Sequence, residues 1–315
     1  MRPLRLGLIG AGRWSRAYLK TVASLTGAEI VRVARRQAKP LDPPYQALEV
    51  TTDWRRVAEA SDLDGVLLAT PPGFHAEPAL AALRAGLPVL IEKPMTLRVP
   101  EARAIVEAAR AARVPAWVEH THLFHAAFRA IRERAAGRTL TITARAGNRG
   151  TFHHDYSSLW DWGAHDVAMT LALTGEAPQR VAARRLAHED TPDGAGDLFE
   201  LDLTFAPGHR ATLTFGNILP ARVRRFLVDT ESDRWLYDDW CPPRLFQAPA
   251  AYTVQDDPVP ACAPQPCAET PPLTTALTEF CAAIRTGRND LHSVELGLLV
   301  VEVLAEAERQ VGAPA

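Results

Sequence analysis

Lysine is nearly absent from this sequence of 315 residues: it stands only at positions 20, 39 and 93, and the other 32 of 35 basic residues are arginine. No block of consecutive lysines or arginines could track a phosphate backbone, and the formal net charge is −2, so nucleic acid is a poor partner. No apolar run is long enough to span a bilayer, which argues against a membrane protein. The first residues enter a strand pattern at once. They lack the basic segment, apolar core and small-residue cleavage site of a secretory signal, and a cytoplasmic location is expected. Cysteine is scarce as well: Cys241, Cys262, Cys267 and Cys281 all fall late, without paired zinc-like spacing, and are expected to be reduced and structural. Internal repeats and low-complexity tracts are missing too. What remains is a composition of 47% hydrophobic and 23% charged residues, ordinary for a soluble globular protein whose partner is a small molecule.

Length favours two domains, because single cores stop growing near this size. In the first third, residues 4–9, 29–34, 65–69, 89–92 and 116–119 read as strands, alternating with helical periodicity over 16–24, 75–85 and 101–113. Runs apolar on both faces imply a parallel sheet, and the alternation gives a doubly wound α/β domain, a Rossmann domain over residues 1–119. Residues 120–315 then form an α+β domain. It opens with a helix over 126–135 and a strand over 140–146. Leu201, Leu203 and Phe205 alternate with Glu200, Asp202 and Thr204, and Pro207-Gly208 turns this strand into Ala211-Leu213-Phe215, an antiparallel hairpin. Strands over 181–186, 226–228 and 235–237 extend it into a mostly antiparallel open sheet with one face available to a partner. Prolines between Cys241 and Pro272 exclude regular helix, so an extended surface excursion is expected there, followed by helices over 274–285 and 294–310.

Gly10-Ala11-Gly12-Arg13-Trp14-Ser15 lies between the first strand and the first helix, the context in which a glycine loop binds a dinucleotide. Gly10 permits the tight turn, and Gly12 lets backbone approach a pyrophosphate whose charge rests on the helix N-terminal amides. Ser15 stands where a third glycine would let helix and strand pack closer. The end of the second strand reads Val33-Ala34-Arg35-Arg36-Gln37, without the carboxylate that would bind a ribose 2′-hydroxyl. Arg35 and Arg36 could clamp a 2′-phosphate, which favours NADP over NAD, or one of them could stack on adenine.

Thr70-Pro71-Pro72-Gly73-Phe74-His75, the run Val89 to Pro94 ending Glu92-Lys93-Pro94, and Trp160-Asp161-Trp162-Gly163-Ala164-His165-Asp166 together resemble the glucose-fructose oxidoreductase and inositol dehydrogenase family, often called Gfo/Idh/MocA. The resemblance runs nearly end to end. It implies a nicotinamide-binding Rossmann domain and a second domain that binds substrate and builds a homodimer or homotetramer through its sheet. Substrates of the family are usually sugars or polyols. By the same resemblance Thr70, Pro71, Pro72 and His75 line the cofactor, Glu92 and Lys93 lie near the nicotinamide ribose, and the Lys93-Pro94 bond is cis.

Oxidising a secondary alcohol needs a hydride acceptor and a base for the hydroxyl proton. Lysine can serve where desolvation and neighbouring cations lower its pKa, and arginine cannot, so Lys93 is singled out in a chain that otherwise avoids lysine. Asp161 and His165 are four residues apart, on one side of a helix, where the carboxylate could orient the imidazole. Proton transfer is assigned to His165 and polarisation of the substrate oxygen to Lys93, a division that sequence leaves open. His153, Tyr156 and Trp160 add a cluster suited to a sugar ring, with His154 and Trp162 beside it, although core packing of the tryptophans fits equally. His120, His122 and His125 suggest a metal only weakly, because no carboxylate completes a recognised set, and none is expected. The family's arginine near position 123 is missing, which argues against a strongly polar substrate contact there. Two other readings stand beside the dehydrogenase: a redox-neutral, nicotinamide-using glycosidase-like enzyme, and a nonenzymatic dinucleotide-sensing regulator.

Overall fold

The structure is a computed structural model that describes residues 2–206 and 208–312, and all counts below are of those residues. The chain divides into two compact units, Met1–Thr121 with Pro271–Val301, and His122–Thr270 with Glu302–Ala315.

The first unit is built on β1 (Leu4–Ile9), α1 (Arg13–Ser24), β2 (Ala28–Ala34), β3 (Glu49–Thr51), α2 (Arg55–Ala58), β4 (Gly65–Leu68), α3 (Ala76–Arg84), β5 (Val89–Glu92), α4 (Val99–Ala112) and β6 (Ala116–Glu119). The sheet is parallel throughout, in the order β3-β2-β1-β4-β5-β6. Strands β4, β5 and β6 are buried at every position, which explains why they read as apolar runs up to the glutamates that close β5 and β6. The strand order reverses between β1 and β4, and ligands of such sheets bind at the carboxyl ends beside that reversal. Sequence patterning missed β3 and α2, elements of 3 and 4 residues too short to show a period.

In the second unit lie α5 (Ala126–Ala135), β7 (Thr141–Arg149), α6 (Ser158–Asp161), α7 (Gly163–Thr174), β8 (Arg180–Thr191), β9 (Gly194–Thr204), β10 (Arg210–Gly216), β11 (Ile218–Asp229), β12 (Arg234–Asp238), β13 (Leu245–Gln247), α8 (Pro258–Ala261) and β14 (Ala263–Gln265). They form an eight-stranded sheet, β14-β13-β12-β11-β7-β10-β9-β8, antiparallel except where β10 meets β7. The expected hairpin is present in register: Leu201 faces Leu213, Leu203 faces Ala211 and Phe199 faces Phe215, so the apolar sides coincide. Its expected turn residue Pro207 lies outside the described residues.

Two expectations need correction. Residues 241–272 are not a surface excursion. They contribute β13, β14 and the single helical turn α8, and Phe246, Ala248, Tyr252, Val254 and Cys262 pack with Leu227 and Leu236 into a core of their own. Proline forbids long helix, but it does not keep the aromatic residues between the prolines in water. The second correction concerns α9 (Pro272–Thr286) and the first part of α10 (His292–Val311), which return to the first unit. Phe280 meets Trp117 edge-on at 5.9 Å, Arg285 donates to the Gly27 carbonyl at 2.6 Å, and Ser293 Oγ accepts from the Val118 amide at 2.9 Å. Gly297 lies so close to Val118 that a Cβ would stand 2.7 Å from it.

Candidate active site

β1 ends at Ile9, and Gly10 takes φ +120° with an added Cβ falling 2.4 Å from the Ala69 carbonyl oxygen. Only glycine lets the turn pass that close to the loop after β4. Gly12 is different: an added Cβ would meet nothing within 4 Å, and as N-cap of α1 it offers no side-chain oxygen. The first turn of α1 therefore has amides that no cap side chain satisfies, no acidic residue, and open space before it. That is a cradle of the kind a dinucleotide's pyrophosphate fills. Ser15 is 1% exposed and its hydroxyl points to the Ala69 carbonyl at 3.5 Å, so its side chain packs α1 against the sheet. Arg13 and Trp14 are exposed.

Beyond β2, the Arg35 amide donates to Thr51 at 2.9 Å, and its guanidinium has only long contacts, 3.5 and 3.4 Å, to the carbonyls of Lys39 and Pro40. Arg36 is exposed, and among the described residues neither guanidinium has a carboxylate partner. Thr70 is half-buried and Pro71 exposed, whereas Pro72 is buried. His75 corrects an expectation. It is fully buried, with Nε2 2.8 Å from the Thr70 carbonyl and Nδ1 3.1 and 3.3 Å from those of Pro94 and Met95. A ring so enclosed braces the Thr70 loop against the turn after β5 instead of lining a ligand. Burial, assisted by Lys93, holds its pKa below the usual histidine range despite the three carbonyls.

Glu92, too, is buried. It is 5% exposed, accepts from the Tyr18 hydroxyl at 3.0 Å and from the Lys93 amide at 3.1 Å, and so holds the turn that presents Lys93. The Lys93-Pro94 bond is cis. Lys93 is itself 9% exposed, and beside Glu92 and His120 the structure brings near it Glu119, which the sequence did not single out. Glu92 pairs in register with Glu119 on β6, and His120 follows, 2% exposed with neither ring nitrogen hydrogen-bonded among the described residues. Burial first and Lys93 second push His120 down to about 3, so it is neutral. The expected neighbouring cations are thus replaced by carboxyls and a neutral imidazole.

Burial and the adjacent Glu92 push Glu119 up to about 8, against the opposing pull of Thr121, whose hydroxyl donates to it, and of Lys93. Since the folded value lies above the unfolded one, the native state holds the extra proton between roughly pH 4.5 and about 8, and stability falls as pH rises through that window. Replacing Glu119 by Gln should therefore flatten the decline. Chemical denaturation at pH 6 and pH 9 should show E119Q losing about 1–2 kcal/mol less than the parent protein between the two. Equal losses would contradict the buried carboxyl pair.

The second unit positions the remaining candidates. Gly163 starts α7 with an added Cβ 2.7 Å from the Phe215 ring, so glycine is what seats this helix on β10. Asp161 closes α6, and its carboxylate lies 3.5 Å from His153 Nε2. His153 stacks on Tyr156 at 4.3 Å, which brings these three together. Trp160 stands apart from them and is corrected: it is 2% exposed, with its indole N–H donating to Glu308 at 2.8 Å, and belongs to the core. His165 is half-buried, its ring 4.8 Å from that of His122. Its neighbour Asp166 is ion-paired with Arg224 at 2.6 Å, both almost wholly buried.

Of the expected histidine trio, His125 caps α5, its Nδ1 accepting from the Ala127 amide at 3.1 Å, while His122 Nδ1 lies 2.8 Å from the Tyr237 hydroxyl. No group of three or more His, Cys, Asp or Glu among the described residues could hold a metal ion. The His122–Tyr237 and Asp166–Arg224 pairings escaped sequence reasoning because the partners lie 115 and 58 residues apart, and no local spacing announces them.

Sequence models match on both units: an oxidoreductase family with an NAD-binding Rossmann fold over residues 4–120, and the GFO/IDH/MocA C-terminal domain over 124–232. A crystal structure from Magnetospirillum magnetotacticum MS-1, described as an oxidoreductase with no substrate stated, superposes with TM-score 0.86 at 37% identity, covering 96% of this chain and 99% of the other. The 4-carboxy-2-hydroxymuconate-6-semialdehyde dehydrogenase of Sphingobium sp. SYK-6 is 26% identical over 98% of both chains. Inositol 2-dehydrogenase of Rhizobium meliloti strain 1021 is 30% identical over 62% of each. With an open glycine cradle at a parallel-sheet reversal, a mostly antiparallel second sheet, and matches across both, the chain belongs to the Gfo/Idh/MocA family of NAD-binding oxidoreductases.

Proposed function

We propose that this protein is an NAD(P)-dependent dehydrogenase that transfers a hydride between nicotinamide and a secondary alcohol or ketone of a sugar, a polyol or a related compound, with NADP preferred. The observation that carries the reading is the open, uncapped N-terminus of α1 behind Gly12. Gly10, Gly12, Arg13, Trp14 and Ser15 hold the pyrophosphate through backbone amides, and Thr70, Pro71 and Pro72 border the cofactor, with His75 and Glu92 acting from behind. Bound nicotinamide supplies the hydride acceptor or donor at its C4.

The rest falls to side chains. Lys93 donates to the substrate oxygen and stabilises charge as the carbonyl forms or disappears. His165 takes the hydroxyl proton, and Asp161 with His153 and Tyr156 binds neighbouring hydroxyls. The near-complete burial of Lys93 supports its part, since a hydrogen bond from a charged donor is worth more where water is excluded. Residues 1–119, grouped with 271–301, are read as the cofactor unit and the rest of 120–315 as the unit for substrate and for homo-oligomer contacts, in the cytoplasm.

Mixing the protein with NADP+ or NAD+ and a panel of sugars and polyols tests this. Formation of reduced nicotinamide is the expected result; substrate turnover without net reduction would replace it with the redox-neutral reading. Nucleotide choice has its own test. Changing Arg35 and Arg36 together to Ala should weaken NADP+ binding about 10- to 100-fold, the worth of one or two charge-assisted phosphate contacts, while NAD+ binding changes about threefold or less. Titration calorimetry with both nucleotides reads it, and equal losses would remove the 2′-phosphate assignment.

A further inference from the structure

Behind His165 the second unit holds a run of polar groups that none of these steps uses. The His122 ring stands 4.8 Å from the His165 ring at 77° to it. His122 is 8% exposed and its Nδ1 lies 2.8 Å from the hydroxyl of Tyr237, which is fully buried and donates to Asp239 Oδ1 at 2.9 Å. Asp239 is half-buried. A phenol has one proton to give. With that proton on the Asp239 side, Tyr237 accepts from His122, whose Nδ1 must carry hydrogen and whose Nε2 is left as the ring's acceptor. Burial first, then Asp239, push the Tyr237 pKa well above its ordinary value, so the phenol keeps its proton.

We propose that Tyr237 and Asp239 are positioning residues for His165, acting through His122, whose ring orientation and tautomer they fix. The proposal rests on the assignment of proton transfer to His165. Three elements meet here: the turn before α5 supplies His122, α7 supplies His165, and the end of β12 supplies the anchor. An imidazole polarised toward a carboxylate is an electron-rich neighbour, and at this distance it favours positive charge on His165 once that ring has taken the substrate's proton. An unanchored His122 would favour it less.

The neighbouring elements carry other charged groups. Asp166, next to His165 on α7, is closed in its pair with Arg224 from β11. Asp161 is engaged with His153. His125, 5.0 Å from Tyr237, is held low by burial, and Arg224 and Arg244 act on Tyr237 in the sense opposite to Asp239.

The test needs no substrate. In the full-length protein with nitrogen-labelled imidazoles, the His165 titration is followed by NMR and assigned by its loss in H165N. In Y237F the His165 midpoint should move to lower pH by about 0.5 unit, roughly threefold weaker proton affinity, and the hydrogen on His122 Nδ1 should no longer be fixed. D239N should move the midpoint in the same direction while keeping that tautomer, because an amide oxygen still accepts from Tyr237. Asp239 is half-exposed, so D239N remains readable even if Y237F does not fold. An unmoved midpoint in D239N overturns the proposal, as does a fall in thermal stability of Y237F with no movement of the midpoint. Activity of H165N is a separate reading: an active H165N with a shifted titration fails the assignment of His165 alone, and an inactive H165N with an unshifted one fails this proposal alone.

Discussion

Replacing Lys93 by Met should lower kcat/KM by about 10³- to 10⁴-fold while leaving the NADP+ dissociation constant within about threefold of the parent value. The size follows from what is removed. Lys93 is 9% exposed, so its ammonium acts where water competes little, and a preorganised donor to a developing oxyanion is commonly worth two to three orders of magnitude by itself. Methionine nearly matches the length and takes away the charge and the donors. The fold should tolerate it, because Glu92 holds the turn through the Lys93 backbone amide, which methionine keeps. Steady-state kinetics with the substrate found in the panel, together with calorimetric binding of NADP+, gives both numbers. Undiminished turnover would sink the assignment.

Arginine at the same position separates the two parts that lysine could play. A guanidinium donates and polarises but does not give up its proton. If Lys93 polarises and His165 moves the proton, K93R should recover part of the activity that K93M loses. If Lys93 moves the proton, the two variants should be equally inactive. The first outcome is the expected one, since the groups beside Lys93 include the carboxyls of Glu92 and Glu119 and the neutral ring of His120, none of them cationic.

The parallel sheet, the strand-to-helix glycine turn and the cis bond after Lys93 were legible because each is local: a strand's apolar run, a turn's glycines and a tripeptide after a strand lie within ten residues. Gly10 is such a case, its identity dictated by a positive φ that a strand-to-helix turn demands. Residues that look functional by type are harder. His75, Glu92 and Trp160 carry chemistry-bearing side chains beside motifs, yet the fold turns each inward onto a carbonyl, a tyrosine or a glutamate. Polarity reports that a buried group needs a partner, not whether the partner is a ligand or the protein. Least legible were long-range pairings. Nothing near Asp166 in sequence announces Arg224, and nothing near His122 announces Tyr237, because β11 and β12 come beside α7 and the turn before α5 only once the second sheet is assembled.

The Asp166–Arg224 pair carries the largest expected effect on stability. Both side chains are almost wholly buried, 1% and 4% exposed, and joined at 2.6 Å, while Asp166 Oδ2 has no partner among the described residues. Burial pushes the Asp166 pKa up even with Arg224 opposing it, so the aspartate depends on that guanidinium to remain charged. R224M should therefore strand a carboxylate in the core. The expected cost is about 3–5 kcal/mol, a fall of roughly 10 °C in the thermal midpoint for a protein of this size, and acid should narrow the gap by protonating Asp166. A fall of less than about 2 °C would show that the pair contributes nothing. The double variant D166L/R224M should regain most of the loss, because two apolar side chains leave no charge to solvate. That double variant also tells what the pair is for. Asp166 adjoins His165 on α7, so recovery of stability with recovery of turnover makes the pair a fastening of the fold, whereas recovery of stability alone means that the ion pair sets the rotation of α7 and with it the aim of the imidazole.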